Sequence, residues 1–173
     1  VHTAISIPYG MNMRDLANNV VNFTFIFEAL GFIPFFIALH HAGAPMPGWN
    51  ALFLSVSSFC TAGFSPFHDS LCSFSNNITI NITVAALSYA GAMGFIVITD
   101  LTNKLRGRTT SLSFTSKVIL LITGIMTVGG TVILSVSPSI APGDSAGEKI
   151  WLYFFQTMSA MTTVGYKTID LSA

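Results

Sequence analysis

Three stretches of this chain stay apolar long enough to cross a bilayer: about Phe23 to Leu39, about Ile78 to Ile98 and about Val118 to Val136. Each approaches the ~20 residues that a spanning helix needs. Two shorter apolar stretches lie outside them, Trp49 to Phe59 and Glu148 to about Met161. Turn-forming residues precede each, Gly43-Ala-Pro-Met-Pro-Gly48 before the first and Ser137-Pro with Ala141-Pro-Gly143 before the second. These shorter stretches read as helices too short to span. They lead into non-helical backbone at membrane depth, which is tolerated only where it lines a cavity or is buried in protein. The expected fold class is an all-α membrane protein of helix–pore loop–helix repeats with re-entrant half-helices.

The half-helices end in a repeat. Phe53-Leu-Ser-Val-Ser57-Ser-Phe-Cys-Thr61-Ala-Gly63-Phe64 aligns with Phe155-Gln-Thr-Met-Ser159-Ala-Met-Thr-Thr163-Val-Gly165-Tyr166. The copies share Phe, Ser, Thr and Gly, with an aromatic after each Gly. Internal repetition is itself an architectural signal. The expected division is a segment at 1–19, a complete helix–pore loop–helix unit at 20–101, a basic loop at 102–117 and an incomplete second unit at 118–173.

Charge fixes the expected orientation. Charged residues are 8% of the chain, against roughly 25% in soluble domains, and a net charge of zero argues against a nucleic-acid partner. Lys104, Arg106, Arg108 and Lys117 cluster between the second and third apolar stretches. Such residues mark cytoplasmic loops, so loop 102–117 and the segment at 1–19, with Arg14, are expected in the cytosol. The pore loops are then outside, with Asp69, Asp144, Glu148 and Asp170. An acidic outer face raises the local cation concentration.

A dehydrated potassium ion needs rings of oxygens, and backbone carbonyls with a Thr hydroxyl supply them. Turning successive carbonyls toward one axis needs backbone angles that Gly reaches easily. The candidate ion-binding residues are therefore Thr61, Ala62 and Gly63 in the first copy and Thr163, Val164 and Gly165 in the second. Each half-helix would aim its partly negative C-terminal end at the ion. Phe64 and Tyr166 are expected to pack the filter against surrounding helices.

With those motifs in place, nearly the whole chain resembles part of a Trk/Ktr/HKT-type cation transporter. The resemblance is carried by Phe53 to Phe67, by Ala90-Gly-Ala-Met-Gly94-Phe95 with Asp100-Leu101, by Leu112-Ser113 through Leu121, and by Phe155-Gln156, Ser159, Val164-Gly-Tyr166 and Ile169-Asp170. It implies four helix–pore loop–helix units in one polypeptide, of which these look like the second and third, so that the chain is expected to be a piece of a longer pore subunit. It further implies potassium as the transported ion, no covalently bound cofactor, a bilayer-embedded homodimer in the plasma (inner) membrane, and a cytosolic nucleotide-binding regulatory subunit as partner. The chain departs from the family pattern at Thr61, where Asn is usual, and at Met161 to Lys167, where the family usually reads Arg-Thr-Ala-Gly-Phe-Asn. Lys167 brings a positive charge toward the outer mouth. Gly at both filter positions implies potassium permeation within this superfamily.

Two other readings stay open. Thr163-Val-Gly-Tyr166 is close to the filter of tetrameric potassium channels, which carry one nearly identical filter per subunit; a membrane enzyme or a non-conducting scaffold is the third class. No nucleophile–base arrangement, phosphate-cradling loop or zinc spacing is evident, so no enzyme is expected, and His40, His41 and His68 match no transition-metal site. Gly91, Gly94, Gly129 and Gly130 read as close-packing positions. Cys60 and Cys72 permit a disulfide or two thiols. Asn77-Ile-Thr79 and Asn81-Ile-Thr83 match the glycosylation triplet. Glu28 is either an intramembrane site or an interfacial charge.

Overall fold

The computed structural model describes residues 13–107, 110–136 and 146–169. Arg108, Asp144, Asp170, the Ser137-Pro and Ala141-Pro-Gly143 breaks and residues 1–12 lie outside them. Among the described residues there are five α-helices, one short 3-10 helix at Cys72–Phe74 and no strand. The α-helices are α1 Met13–His41, α2 Pro47–Phe59, α3 Ile78–Leu105, α4 Phe114–Val136 and α5 Ala146–Met161.

Three of them are long and apolar enough to span, over Ala17–His41, Ile78–Leu105 and Phe114–Val136. All three outrun the apolar stretches that announce them, because a helix keeps its backbone groups paired where it leaves the hydrocarbon. The basic connection between α3 and α4 is correspondingly short. Lys104 sits in the last turn of α3 and Lys117 in the first turn of α4. At about 1.5 Å rise per residue, the 13-residue α2 is some 20 Å long, well short of a ~30 Å hydrocarbon core.

Local chemistry sets the helix ends. Pro47 opens α2, where a missing N–H matters least. Asn77 caps α3, its Oδ1 accepting from the Ile80 N–H at 3.2 Å. Near the C-terminal end of α3, Asp100 accepts from the Ser113 hydroxyl, from the Ser116 hydroxyl at 2.6 Å and from the Ser113 N–H at 3.3 Å. That carboxylate ties the end of α3 to the start of α4. Asn81 is buried and donates to the Ser75 and Phe74 carbonyls at 2.7 and 3.3 Å. The second glycosylation triplet is therefore a structural asparagine with no accessible amide.

Helices α1, α2 and α3 pack against one another, α4 packs on α5, and α3 joins the two groups. One apolar cluster runs through both: Phe35, Leu39, Leu54, Val84 and Leu87 share it with Phe155, Met158, Val164 and Tyr166. The outward face of α4 is Leu121, Ile122, Ile125, Val128, Val132 and Ile133, all exposed. An exposed stripe this apolar suits lipid as its solvent.

Only some of the glycines singled out for packing do that work. A Cβ on Gly91 would stand 1.8 Å from the Phe59 carbonyl oxygen, so α3 presses against the last turn of α2 there. A Cβ on Gly130 would meet the Thr157 methyl at 2.5 Å. Gly129 has no neighbour within 4 Å, and neither has Gly94. Gly94 instead adopts φ 77° and ψ 166° inside α3, breaking the helix. It serves as a bend rather than a contact, because only a residue without a Cβ reaches that region readily.

Candidate functional site

Both repeats close their half-helix with two matching bonds. The Cys60 N–H bonds the Val56 carbonyl at 2.9 Å, and Thr162 bonds Met158 at 2.9 Å; Thr61 bonds Ser58 at 3.2 Å, and Thr163 bonds Ala160 at 3.2 Å. Each of these bonds recurs 102 residues later, while the Ser57 carbonyl then accepts from Ala62 and the Ser159 carbonyl from Gly165. After that turn the chain leaves the helix with alternating backbone sign. Thr61 (φ 50°) and Gly63 (φ 69°) are left-handed around Ala62, and Thr163 (φ 61°) and Gly165 (φ 77°) are left-handed around Val164. Alternation of this kind turns successive carbonyls toward one side of the strand.

Glycine takes a positive φ without strain, but threonine does not. A left-handed non-Gly residue costs roughly 1–2 kcal/mol, and for a β-branched side chain it is a marked outlier. Two threonines bear that strain at equivalent positions. Strained backbone persists only where its surroundings over-determine it, and it gathers at functional sites.

The surroundings are visible. The Ser57 hydroxyl donates to the Phe64 carbonyl at 2.8 Å, and the Ser159 hydroxyl donates to the Tyr166 carbonyl at 2.7 Å. Each bond fastens the segment's exit to its own half-helix. Ser57 and Ser159 stand in the repeat, yet nothing in their local pattern assigns them a role. The usable signal was a serine shared by both copies, seven residues before the aromatic. A second clamp joins the copies. The Lys167 N–H donates to the Ser70 hydroxyl at 3.1 Å, and the Leu71 N–H donates to the Lys167 carbonyl at 3.0 Å. Ser70, itself at φ 62°, thus ties the loop after the first segment to the exit of the second.

The segments themselves nearly touch. A Cβ on Gly63 would lie 1.6 Å from the Val164 carbonyl oxygen, whereas one on Gly165 would meet only the Thr163 oxygen at 4.0 Å. The approach brings Gly63 against Val164 and the adjacent Gly165 backbone; no contact of Thr61 or Ala62 with the second segment is among those that join the two. The two aromatics part company. Tyr166 is buried at 1% exposure, but Phe64 is 70% exposed. Tyr166 is packed in the described core, whereas the ring of Phe64 stands out from it.

Beyond Gly63 and Gly165 a depression of about 550 Å³ opens, lined among others by His68, Asp69, Ser70 and Lys167. The Ser73 hydroxyl donates to the Asp69 carboxylate, and the Ser73 N–H does so at 2.8 Å. The hydroxyl bond foremost holds the Asp69 carboxyl below its usual range. Asp69 and Lys167 line the same depression. Cys60 ends α2 and Cys72 opens the 3-10 helix, and no disulfide joins them. Glu28 is half-exposed on α1, and its backbone carbonyl accepts from the Ser55 hydroxyl at 2.6 Å.

Spanning helices with short helices inserted between them define a multi-pass, all-α membrane protein. Over residues 10–173 the chain matches the TrkH family, described as a cation transport protein, and it belongs to that family, a transporter rather than an enzyme family. It is 33% identical over 171 residues to the Ktr system potassium uptake protein B of Vibrio alginolyticus, an alignment covering 94% of this chain and 36% of that protein. It is 33% identical over 126 residues to the potassium/sodium uptake protein NtpJ of Enterococcus hirae, covering 70% and 27%. To the Bacillus subtilis Ktr system potassium uptake protein B it is 28% identical over 140 residues, covering 75% and 30%. The chain spans about a third of the length of these curated relatives.

Proposed function

We propose that this chain supplies two walls of a potassium-conducting path in a Trk/Ktr-type uptake system. The walls are Thr61-Ala62-Gly63 and Thr163-Val164-Gly165, whose carbonyls replace water around the ion. The observation that carries this is the repeated left-handed threonine, at φ 50° and 61°, followed two residues later by a left-handed glycine. The left-handed threonine also closes each half-helix, with the Thr61 N–H on Ser58 and the Thr163 N–H on Ala160; what supports the reading is its recurrence together with the left-handed glycine that follows. Each half-helix, α2 and α5, ends at its segment, where the partly negative end of the helix favours a cation. Two differing segments in one chain favour this reading over a channel built from identical subunits.

Around those walls the reading is coarser and rests on the family. The units divide at 20–101 and 118–173, with loop 102–117 on the cytosolic side of the plasma membrane and both pore loops outside. The concentration of Lys and Arg between α3 and α4 supports that orientation. Potassium is cargo here, not a resident cofactor. The pore subunit works as a homodimer in the bilayer, with a cytosolic nucleotide-binding subunit regulating it, as the family resemblance implies; the "system" and "protein B" in the names of two relatives support a further component for those proteins.

Growth tests the reading. The complete gene product carrying this sequence, expressed in cells stripped of their own potassium uptake, restores growth at limiting potassium. Failure to restore growth, with the protein present in the membrane alongside its regulatory subunit, contradicts it.

A further inference from the structure

The repeat is broken at one atom. The second copy ends in Tyr166 where the first ends in Phe64, so only one of the two aromatics has a hydroxyl to donate. The Tyr166 ring is buried at 1% exposure, and its hydroxyl donates to the Phe64 carbonyl at 3.1 Å. That oxygen already accepts from the Ser57 hydroxyl at 2.8 Å. Its two lone pairs are thereby engaged, which turns the Phe64 carbonyl away from any ion. The Tyr166 carbonyl accepts from Ser159. The bond between Tyr166 and Phe64 therefore runs from the second segment to the first, with no counterpart in the other direction within this chain.

We propose that Tyr166 is a positioning residue for ion discrimination: its hydroxyl is a strut that fixes how far apart the two filter segments stand. The strut sits one residue beyond the closest approach, where Gly63 faces the Val164 carbonyl. It links the segments themselves. The Ser70 clamp acts further out, on Lys167. Discrimination between potassium and a smaller cation depends on how the carbonyls are spaced and how freely they close in. A bond that holds the wall at one spacing disfavours collapse onto sodium. The same hydroxyl also interacts with the Ser57 and Ser58 side chains of α2, so it engages the first half-helix as well as the first segment. This proposal rests on the filter reading above.

The test is rubidium uptake by the complete gene product, competed by potassium or by sodium, with membrane abundance measured for each variant. Tyr166→Phe keeps the ring and removes only the hydroxyl. It is expected to leave the maximal rate within about twofold and to lower the ratio of inhibitory sodium to inhibitory potassium by about three- to tenfold, the span of one net hydrogen bond. Ser57→Ala removes the other donor to the same carbonyl, and the double variant is expected to be non-additive, as partners sharing an acceptor are. An unchanged ratio in Tyr166→Phe, or strict additivity in the pair, overturns the strut. So does complete loss of uptake in a Tyr166→Phe protein that reaches the membrane in normal amount, because positioning alone does not abolish permeation. Gly165→Arg, run beside them, separates the two readings: uptake surviving that change means that the filter assignment itself has failed.

Discussion

Gly63 and Val164 come so close that a methyl group on Gly63 would stand 1.6 Å from the Val164 carbonyl oxygen. No real Cβ occupies such a position, and backbone cannot yield as a side-chain tip does. Gly63 also sits at φ 69°, so it is needed both for its angle and for its lack of a side chain.

Gly165 is needed for its angle alone, at φ 77° with open space beside it. The two glycines should therefore separate under the same substitution. Gly63→Ala is expected to abolish rubidium uptake in protein that still reaches the membrane. Gly165→Ala carries about 1–2 kcal/mol of left-handed strain and is expected to keep a measurable fraction of the uptake. Equal effects would show that the approach of Gly63 to Val164 is not part of the working pore.

Ser159 and Ser57 do the same job with unequal backing. Ser159 is the hydroxyl on the Tyr166 carbonyl, while the Phe64 carbonyl has Tyr166 as well as Ser57. Ser159→Ala leaves a buried carbonyl unpaired, at about 1–3 kcal/mol, and is expected to lower the apparent melting temperature in detergent more than Ser57→Ala does. The comparison uses thermal aggregation followed by size-exclusion chromatography; the reverse order would count against the shared-acceptor geometry.

Close packing makes a third contrast. A side chain on Gly91 meets the Phe59 carbonyl at 1.8 Å, while Gly129 faces nothing within 4 Å. Gly91→Val should yield little folded protein, since α3 must separate from the end of α2. Gly129→Val should be nearly silent, apart from the few tenths of a kcal/mol of helix propensity that separate these residues. Yield and monodispersity of the purified variants measure both.

The mouth should respond to acid. Hydrogen bonds from Ser73 hold the Asp69 carboxyl below its usual range. A carboxyl depressed in the folded protein keeps its favourable contribution above the unfolded pKa and loses it as pH falls through the lower, folded value. Ser73→Ala removes the main cause, so Asp69 should protonate at higher pH. Rubidium uptake at low substrate concentration is expected to decline at a higher pH in Ser73→Ala than in the parent, and Asp69→Asn should remove the difference between them.

Much of this was legible in the chain because membrane folding is constrained by few rules. Apolar length marked α1, α3 and α4, and the Pro and Gly before Trp49 marked the start of α2, whose helix begins at Pro47. Repetition marked the six candidate residues, Thr61 to Gly63 and Thr163 to Gly165. Side-chain hydroxyl bonds to distant carbonyls were not legible, since a serine reads alike whether it packs, caps or holds a strand. The role of Ser57, Ser159 and Ser70 depends on a tertiary approach that no local pattern encodes. Gly94 misled for a related reason. Its place beside Gly91 suggests a shared packing face, yet one glycine admits a neighbour and the other admits a bend.

The most direct measurement is rubidium uptake by the complete gene product, in cells lacking their own potassium uptake, set against Gly165→Arg. The space beside Gly165 is open to 4.0 Å, so the variant is expected to reach the membrane while its guanidinium stands in the ion path. The account predicts uptake that potassium competes for, that sodium competes for only weakly, and that Gly165→Arg abolishes. Uptake of equal rate and selectivity in the Gly165→Arg protein would contradict it.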